Sequence, residues 1–288
     1  MKGNSVRIQQ HTFYTSDLRI SAQQCGAQGR ETLLAVHGWQ DNSASFIPLF
    51  SALEGINCIA LDLPGHGQSD WRDAQAHYYF IDYVDDLYQV ISMNYQQPIH
   101  LVGHSMGAMV ITLFAASFPS LVKSLTLIDG IGFVTTPAQE TTSQLRHAIL
   151  MRARTRAKES KHRVFANLTE LINKRMQVSD LSFESCRLLM ERNSLIDSTG
   201  VKLTIDPKLK HHSGFRFDQA QSQAVCREVQ MPVNLILAES GLEQMKTALE
   251  MYGSEFKELN VFHIEGGHHC HMDNPIAVAQ VLQGIIDT

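Results

Sequence analysis

Short apolar runs recur at Thr32–Val36, Cys58–Leu61, Ile99–Val102, Ser124–Ile128, Val233–Ala238 and Leu259–Ile264, each closing on a polar or glycine-rich turn. They are rich in Leu, Ile and Val and too short for helices. Strands covered on both faces of a parallel sheet have this pattern, because neither face meets water. Helical periodicity lies between them. Tyr83–Tyr95 carries Val84, Leu87, Val90 and Ile91 on one stripe, Met106–Phe118 forms a second segment ended by Pro119, and Pro275–Ile286 reads as a closing helix. Strand and helix in alternation predict right-handed crossovers and a doubly wound sheet. Ahead of them, Val6–Ala22 partly alternates apolar and polar residues, as an antiparallel edge hairpin would.

The alternation stops between Phe133 and Val229. That segment is polar and helix-leaning, as in Arg146–Lys161 and Ser182–Arg192. A structureless loop of such length is improbable in a compact domain, so the pattern predicts a helical subdomain, 133–229, inserted into a core built from 1–132 and 230–288.

Composition narrows the function classes. The 288 residues are 44% hydrophobic and 18% charged with a net charge of -5, which is ordinary for a globular protein. No clustered basic face marks a nucleic-acid or anionic-membrane partner. No apolar run reaches the roughly 20 residues that span a bilayer, and Met1–Gln10 lacks the apolar stretch of a signal peptide. Cys25, Cys58, Cys186, Cys226 and Cys270 are widely spaced with no CxxC, which predicts free thiols in a reducing, cytoplasmic setting.

The chemistry concentrates at the ends of the apolar runs. Gly103-His104-Ser105-Met106-Gly107 follows Ile99–Val102 and opens the helix from Met106. This G-x-S-x-G in a strand–turn–helix setting predicts a nucleophile elbow with Ser105 at its tip. The helix that follows points its first N–H groups at the same place and favours developing negative charge. The amide after the nucleophile, Met106, is one oxyanion donor, and Trp39, in His37-Gly38-Trp39 after Thr32–Val36, is in position to supply the second. His37, Gly38 and His104 are candidate substrate-binding residues. A hydroxyl nucleophile needs a base, and among 14 histidines the position of His268 singles it out, since Gly266-Gly267-His268 follows the last strand and precedes the last helix. His269 and His271 stand beside it, but no distant ligand pair converges on them in the sequence. They read as structural groups, with no metal and no cofactor expected. Two acids compete to orient the base, Asp129 after Ser124–Ile128 and Glu239 after Val233–Ala238, both at the carboxyl edge of the sheet. Asp62, in a turn-rich stretch, reads as structural.

His37-Gly38-Trp39, Leu61–Asp70 (LDLPGHGQSD), GHSMG and Gly266-Gly267-His268 together resemble the α/β-hydrolase superfamily over nearly the whole chain. His37–Phe46 and His268–Met272 (HHCHM) further resemble its serine-hydrolase-like branch. The resemblance implies an α/β-hydrolase fold, Ser105 as nucleophile, His268 as base, Trp39 and Met106 as oxyanion donors, and a helical cap over the site. One departure stands out. Where such proteins usually carry the acid in a G-x-x-D turn, this chain reads Ala238-Glu239-Ser240-Gly241. Some relatives, notably haloalkane dehalogenases, place the acid one core strand earlier, where Asp129 lies, and this favours Asp129 over Glu239. The reading is therefore a carboxylester hydrolase acting through an acyl-enzyme on a small-molecule acyl substrate. Thioester or C–C bond hydrolysis on the same residues is one alternative, and a non-catalytic binding protein lacking a complete triad is another.

Overall fold

The computed structural model describes residues 7–26, 30–156 and 164–287. Its centre is an eight-stranded sheet of β1 (Gln9–Tyr14), β2 (Arg19–Cys25), β3 (Thr32–Val36), β4 (Asn57–Leu61), β5 (Ile99–His104), β6 (Val122–Ile128), β10 (Val233–Ser240) and β11 (Leu259–Gly267), in the order β1-β2-β4-β3-β5-β6-β10-β11. β1 and β2 form the expected antiparallel edge, and every pair from β4 to β11 is parallel. Val6, and residues 157–161 of the expected Arg146–Lys161 helix, lie outside the described residues.

Both faces of the sheet are covered, so consecutive strand residues serve two cores. Leu34, Val36, Leu101, Leu125 and Leu127 pack on one side with Val84, Leu87 and Ile91 of α2 (Phe80–Asn94) and Val110, Ile111 and Phe114 of α3 (Met106–Ser117). Leu33, Ala35, Val102 and Ile128 pack on the other with Leu49 and Phe50 of α1 (Ile47–Phe50) and Val278, Leu282 and Ile286 of α10 (Pro275–Ile286). Each large apolar side chain buried in this way contributes about 1.5–3 kcal/mol. Among the described residues no helix is long and apolar enough to cross a membrane, and all five cysteines are buried free thiols.

The segment between β6 and β10 departs from expectation in two ways. Besides α4 (Thr141–Arg156), α5 (Leu168–Met176) and α6 (Phe183–Arg192), it holds a three-stranded antiparallel sheet of β7 (Val164–Phe165), β8 (Ser194–Asp197) and β9 (Gly200–Leu203). These strands of two to four residues are too short to leave a hydrophobic period. The inserted segment also ends before 229. α7 (Gln219–Glu228) lies against α3, and Cys226 and Val229 are buried in the first core cluster. A small cluster that includes Phe165, Leu171, Leu189 and Val201 packs the insertion and takes in Met272 from beyond β11. α8 (Gln244–Tyr252) covers ground where the sequence pattern indicates no element.

Polar side chains fix the insertion to the loops after β3 and β4. Arg192 Nε lies 2.9 Å from both carboxylate oxygens of Asp62, and Asn42 Nδ2 donates to the Leu189 carbonyl at 2.9 Å. Asp62 also accepts from the amides of Ser43 and Gln68 at 2.8 Å, which makes it the structural hub that its sequence setting suggests.

Candidate active site

Three strand ends converge at the carboxyl edge of the sheet. β5 and β6 pair His104 with Ile128, so Ser105 and Asp129 leave the sheet side by side. The Ser105 amide donates to the Ile128 carbonyl at 3.0 Å, and the Asp129 amide to the Ile236 carbonyl at 2.8 Å. β10 and β11 pair Ser240 with Gly267, which delivers His268 to the same edge.

Ser105 sits at φ 52° and ψ -115°, a conformation that costs a residue with a Cβ of order 1–3 kcal/mol. The surrounding packing enforces it. A Cβ on Gly107 would lie 2.0 Å from the Val36 carbonyl oxygen, and one on Gly103 would lie 2.6 Å from that of Gly107. Strand and helix can approach this closely only because both residues are glycine. The turn lifts Ser105 into a half-buried position, whereas His104 before it is buried.

His268 Nδ1 lies 2.6 Å from Asp129 Oδ2. The Asp129 carboxylate, itself buried, also takes the Ala238 and Leu242 amides at 3.3 Å each. Glu239 points away into solvent at the end of β10 and is not the partner of His268. With Nδ1 engaged by the acid, Nε2 is the His268 nitrogen left for a hydroxyl. Among the described residues no hydrogen bond joins Ser105 Oγ to that nitrogen; His104 connects the two, being the chain neighbour of Ser105 with its ring 4.6 Å from that of His268. Such bonds are often long in the absence of substrate and tighten when it binds.

The amide of Met106 opens α3 and therefore has no partner within the helix. Trp39 follows β3, beside which the elbow packs. Its indole is half exposed and donates to the Leu209 carbonyl at 3.1 Å, so the side chain braces the insertion.

Two expected substrate contacts are corrected. His37 is fully buried, its Nε2 accepting the Leu63 amide at 3.0 Å and its Nδ1 donating to the Gly38 carbonyl at 2.7 Å. No atom of that ring remains for a substrate. His104 lies behind the elbow, donating from Nε2 to the His268 carbonyl at 2.9 Å. Burial, with the neighbouring rings of His271, His268 and His269, holds it well below the usual histidine range and therefore neutral. Gly38 packs directly against His104 and Asp41.

A polar network that the sequence spacing conceals lies behind His268. His269 Nδ1 donates to Asp180 Oδ1 at 2.9 Å, its Nε2 lies 3.3 Å from Asp41 Oδ2, and Arg175 Nη2 lies 2.7 Å from Asp41 Oδ1. Burial works against the charged ring of His269, but the hydrogen bonds to Asp180 and Asp41 outweigh it and push the ring up to about 9. These contacts hold His269 between two carboxylates, although Asp41, Asp180 and Arg175 give no sign in the sequence of sharing one site with it.

A family model described as the alpha/beta hydrolase fold matches residues 31–275. The chain belongs to the α/β-hydrolase family. A serine hydrolase-like protein of Danio rerio is 30% identical over 274 residues, covering 91% of this chain and 83% of that one. A serine hydrolase-like protein of Dictyostelium discoideum is 30% identical over 268 residues, covering 88% and 74%. Among solved structures, a hypothetical protein of Pseudomonas aeruginosa PAO1 superposes with a TM-score of 0.89 at 31% identity, over 97% of this chain and 99% of that one. The thioesterase domain from the curacin biosynthetic pathway shares the fold at a TM-score of 0.83 and 22% identity, over 96% of this chain and 99% of that one. This α/β-hydrolase thus combines a family fold with a strained serine elbow and a half-buried histidine paired with a buried aspartate at one sheet edge.

Proposed function

We propose that the protein is a serine hydrolase that cleaves small or medium carboxylic esters through an acyl-enzyme. The observation that carries this reading is the 2.6 Å contact of His268 Nδ1 with Asp129 at the sheet edge from which Ser105 projects. His268 Nε2 takes the proton of the Ser105 hydroxyl as Oγ adds to the substrate carbonyl. The amides of Met106 and Trp39 hold the oxyanion that forms, and Asp129 keeps the ring in the right tautomer and stabilises its charge. The imidazolium gives its proton to the departing alkoxide as the C–O bond breaks, leaving acyl-Ser105. Water then gives a proton to His268 and attacks the acyl carbon, and collapse of the second tetrahedral adduct returns the proton to Ser105 and releases the acid.

The serine hydrolase-like relatives support the reaction class, and the contact of buried Asp129 with His268 favours it over a non-catalytic reading. We read the insertion, fixed to the loops after β3 and β4, as a cap that restricts access to Ser105. The free buried thiols suit a reducing, cytoplasmic setting. Release of p-nitrophenol from p-nitrophenyl acyl esters of graded chain length tests the reaction. Turnover that disappears in Ser105→Ala is expected, and undiminished turnover in that variant would refute the assignment.

A further inference from the structure

Among the described residues, three buried ring nitrogens behind His268 lack what buried polar atoms normally have, a hydrogen-bond partner. His104 Nδ1 accepts no hydrogen bond, and neither does either ring nitrogen of His271, which is fully buried. Native interiors leave few such atoms, and each one calls for a cause such as a bound ion. Here they gather. The ring centroids of His104 and His271 are 4.4 Å apart, and those of His104 and His269 are 4.8 Å apart.

We propose that Asp41, His104 and His269 form a binding site for one divalent transition-metal ion, with zinc the best match, directly behind the loop that carries His268. Asp41 Oδ2 lies 3.3 Å from His269 Nε2 and 3.7 Å from His104 Nδ1, and all three donor atoms fall within 4.8 Å of one another. Tetrahedral zinc, with bonds of about 2.0–2.2 Å, sets its donors roughly 3.3–3.6 Å apart, so the first two separations need little change and the third a modest closure. Two imidazoles and one carboxylate suit zinc and its first-row neighbours better than magnesium or calcium.

The outer partners are those a metal site requires. Metal-bound histidines hold their second nitrogen in a hydrogen bond that fixes the tautomer. His104 does this through Nε2 to the His268 carbonyl at 2.9 Å, and His269 through Nδ1 to Asp180 at 2.9 Å. Arg175 takes the other oxygen of Asp41 at 2.7 Å, so an ion would sit at Oδ2 and replace the proton that His269 Nε2 directs at that oxygen. Space exists because residue 38 is glycine. A Cβ there would stand 2.9 Å from His104 Nδ1 and 3.1 Å from Asp41 Oδ2, within the cradle itself. The ion would hold the His268 loop through His104 and His269, and its binding does not depend on the hydrolase reading.

Chelator-stripped, tag-free protein titrated with zinc by calorimetry and with cobalt(II) by visible spectroscopy tests the site. One equivalent of zinc, displacing a cobalt complex with the intense visible bands of low-coordinate cobalt, is expected. Asp180→Ala changes a partly exposed residue at the rim of the network, and we expect it to weaken binding about 10–100-fold. His104→Gln, its fold checked by circular dichroism, is expected to abolish binding, whereas His268→Ala retains it. Absence of stoichiometric binding in the wild type would overturn the proposal. So would wild-type affinity in Asp180→Ala, or binding that survives His104→Gln and is lost in His268→Ala.

Discussion

A Cβ on Gly241 would stand 2.6 Å from each carboxylate oxygen of Asp129. The two positions at which α/β-hydrolases place their acid therefore compete for one space, and in this chain Asp129 fills it. The glycine that looks like a loss in the sequence is what gives the carboxylate room, with the Leu242 amide 3.3 Å away as a donor. Asp129→Asn is expected to lower kcat by about 10⁴, as removal of an orienting acid does elsewhere, while Glu239→Gln stays near wild type. Gly241→Asp alone is expected to cost about 1–3 kcal/mol in urea denaturation through overpacking. The pair Asp129→Gly with Gly241→Asp is expected to recover part of the activity that Asp129→Asn loses. Steady-state kinetics on purified variants decides among these outcomes.

Trp39 separates a backbone role from a side-chain role. Trp39→Phe keeps the amide and removes the Nε1 bond to Leu209. We expect kcat to change by no more than a few-fold and stability to fall by about 1 kcal/mol. A loss of several hundred-fold in kcat without unfolding would instead give the indole itself a part in the chemistry.

Arg192 and Asp62 form a buried pair between the insertion and the loop after β4, with side chains 5% and 0% exposed. Removing one partner leaves a charge without compensation in a dry environment. Arg192→Leu is expected to cost about 3 kcal/mol in denaturant unfolding, at the low end for buried pairs because the Ser43 and Gln68 amides still serve Asp62.

Acid sensitivity follows from the buried histidines of the loops after β3 and β4. Burial, reinforced by His37, pushes His66 from its ordinary 6.5 down to about 3. Above 6.5 the ring is neutral in both the folded and the unfolded chain, and its full contribution to stability is present. Below that value the unfolded chain takes up a proton that the fold refuses, so stability falls with decreasing pH until the folded ring titrates. One such group contributes a slope of up to about 1.4 kcal/mol per pH unit. Comparing denaturation midpoints of wild type and His66→Gln between pH 7 and pH 4 is expected to show a shallower fall in the variant.

Much of this architecture was legible because its signals are local. β3 runs over Thr32–Val36 and α10 over Pro275–Ile286, as the hydrophobic pattern predicts, since strands buried on both faces and a helix led by proline both mark themselves. The elbow was legible because Gly103, Ser105 and Gly107 meet a steric demand inside five residues. What stayed hidden depends on distance in space. The three short strands of the insertion carry no period, and α7 joins the core through Cys226 and Val229, a contact with α3 that no local pattern announces. His37 and His104 look like site residues because they adjoin one, and only their filled or enclosed surroundings reveal them as framework. The union of Asp41 and His104 with His269 brings together two separate loops and the end of β5.

The proposed reaction depends on Ser105 being an activated nucleophile served by His268 and Asp129. Reaction with a fluorophosphonate probe, read by intact mass and peptide mapping, tests it most directly. One adduct per chain is expected, located on Ser105, absent from Ser105→Ala and formed far more slowly in His268→Ala and Asp129→Asn. An unlabelled wild type, or labelling that persists in Ser105→Ala, would contradict it.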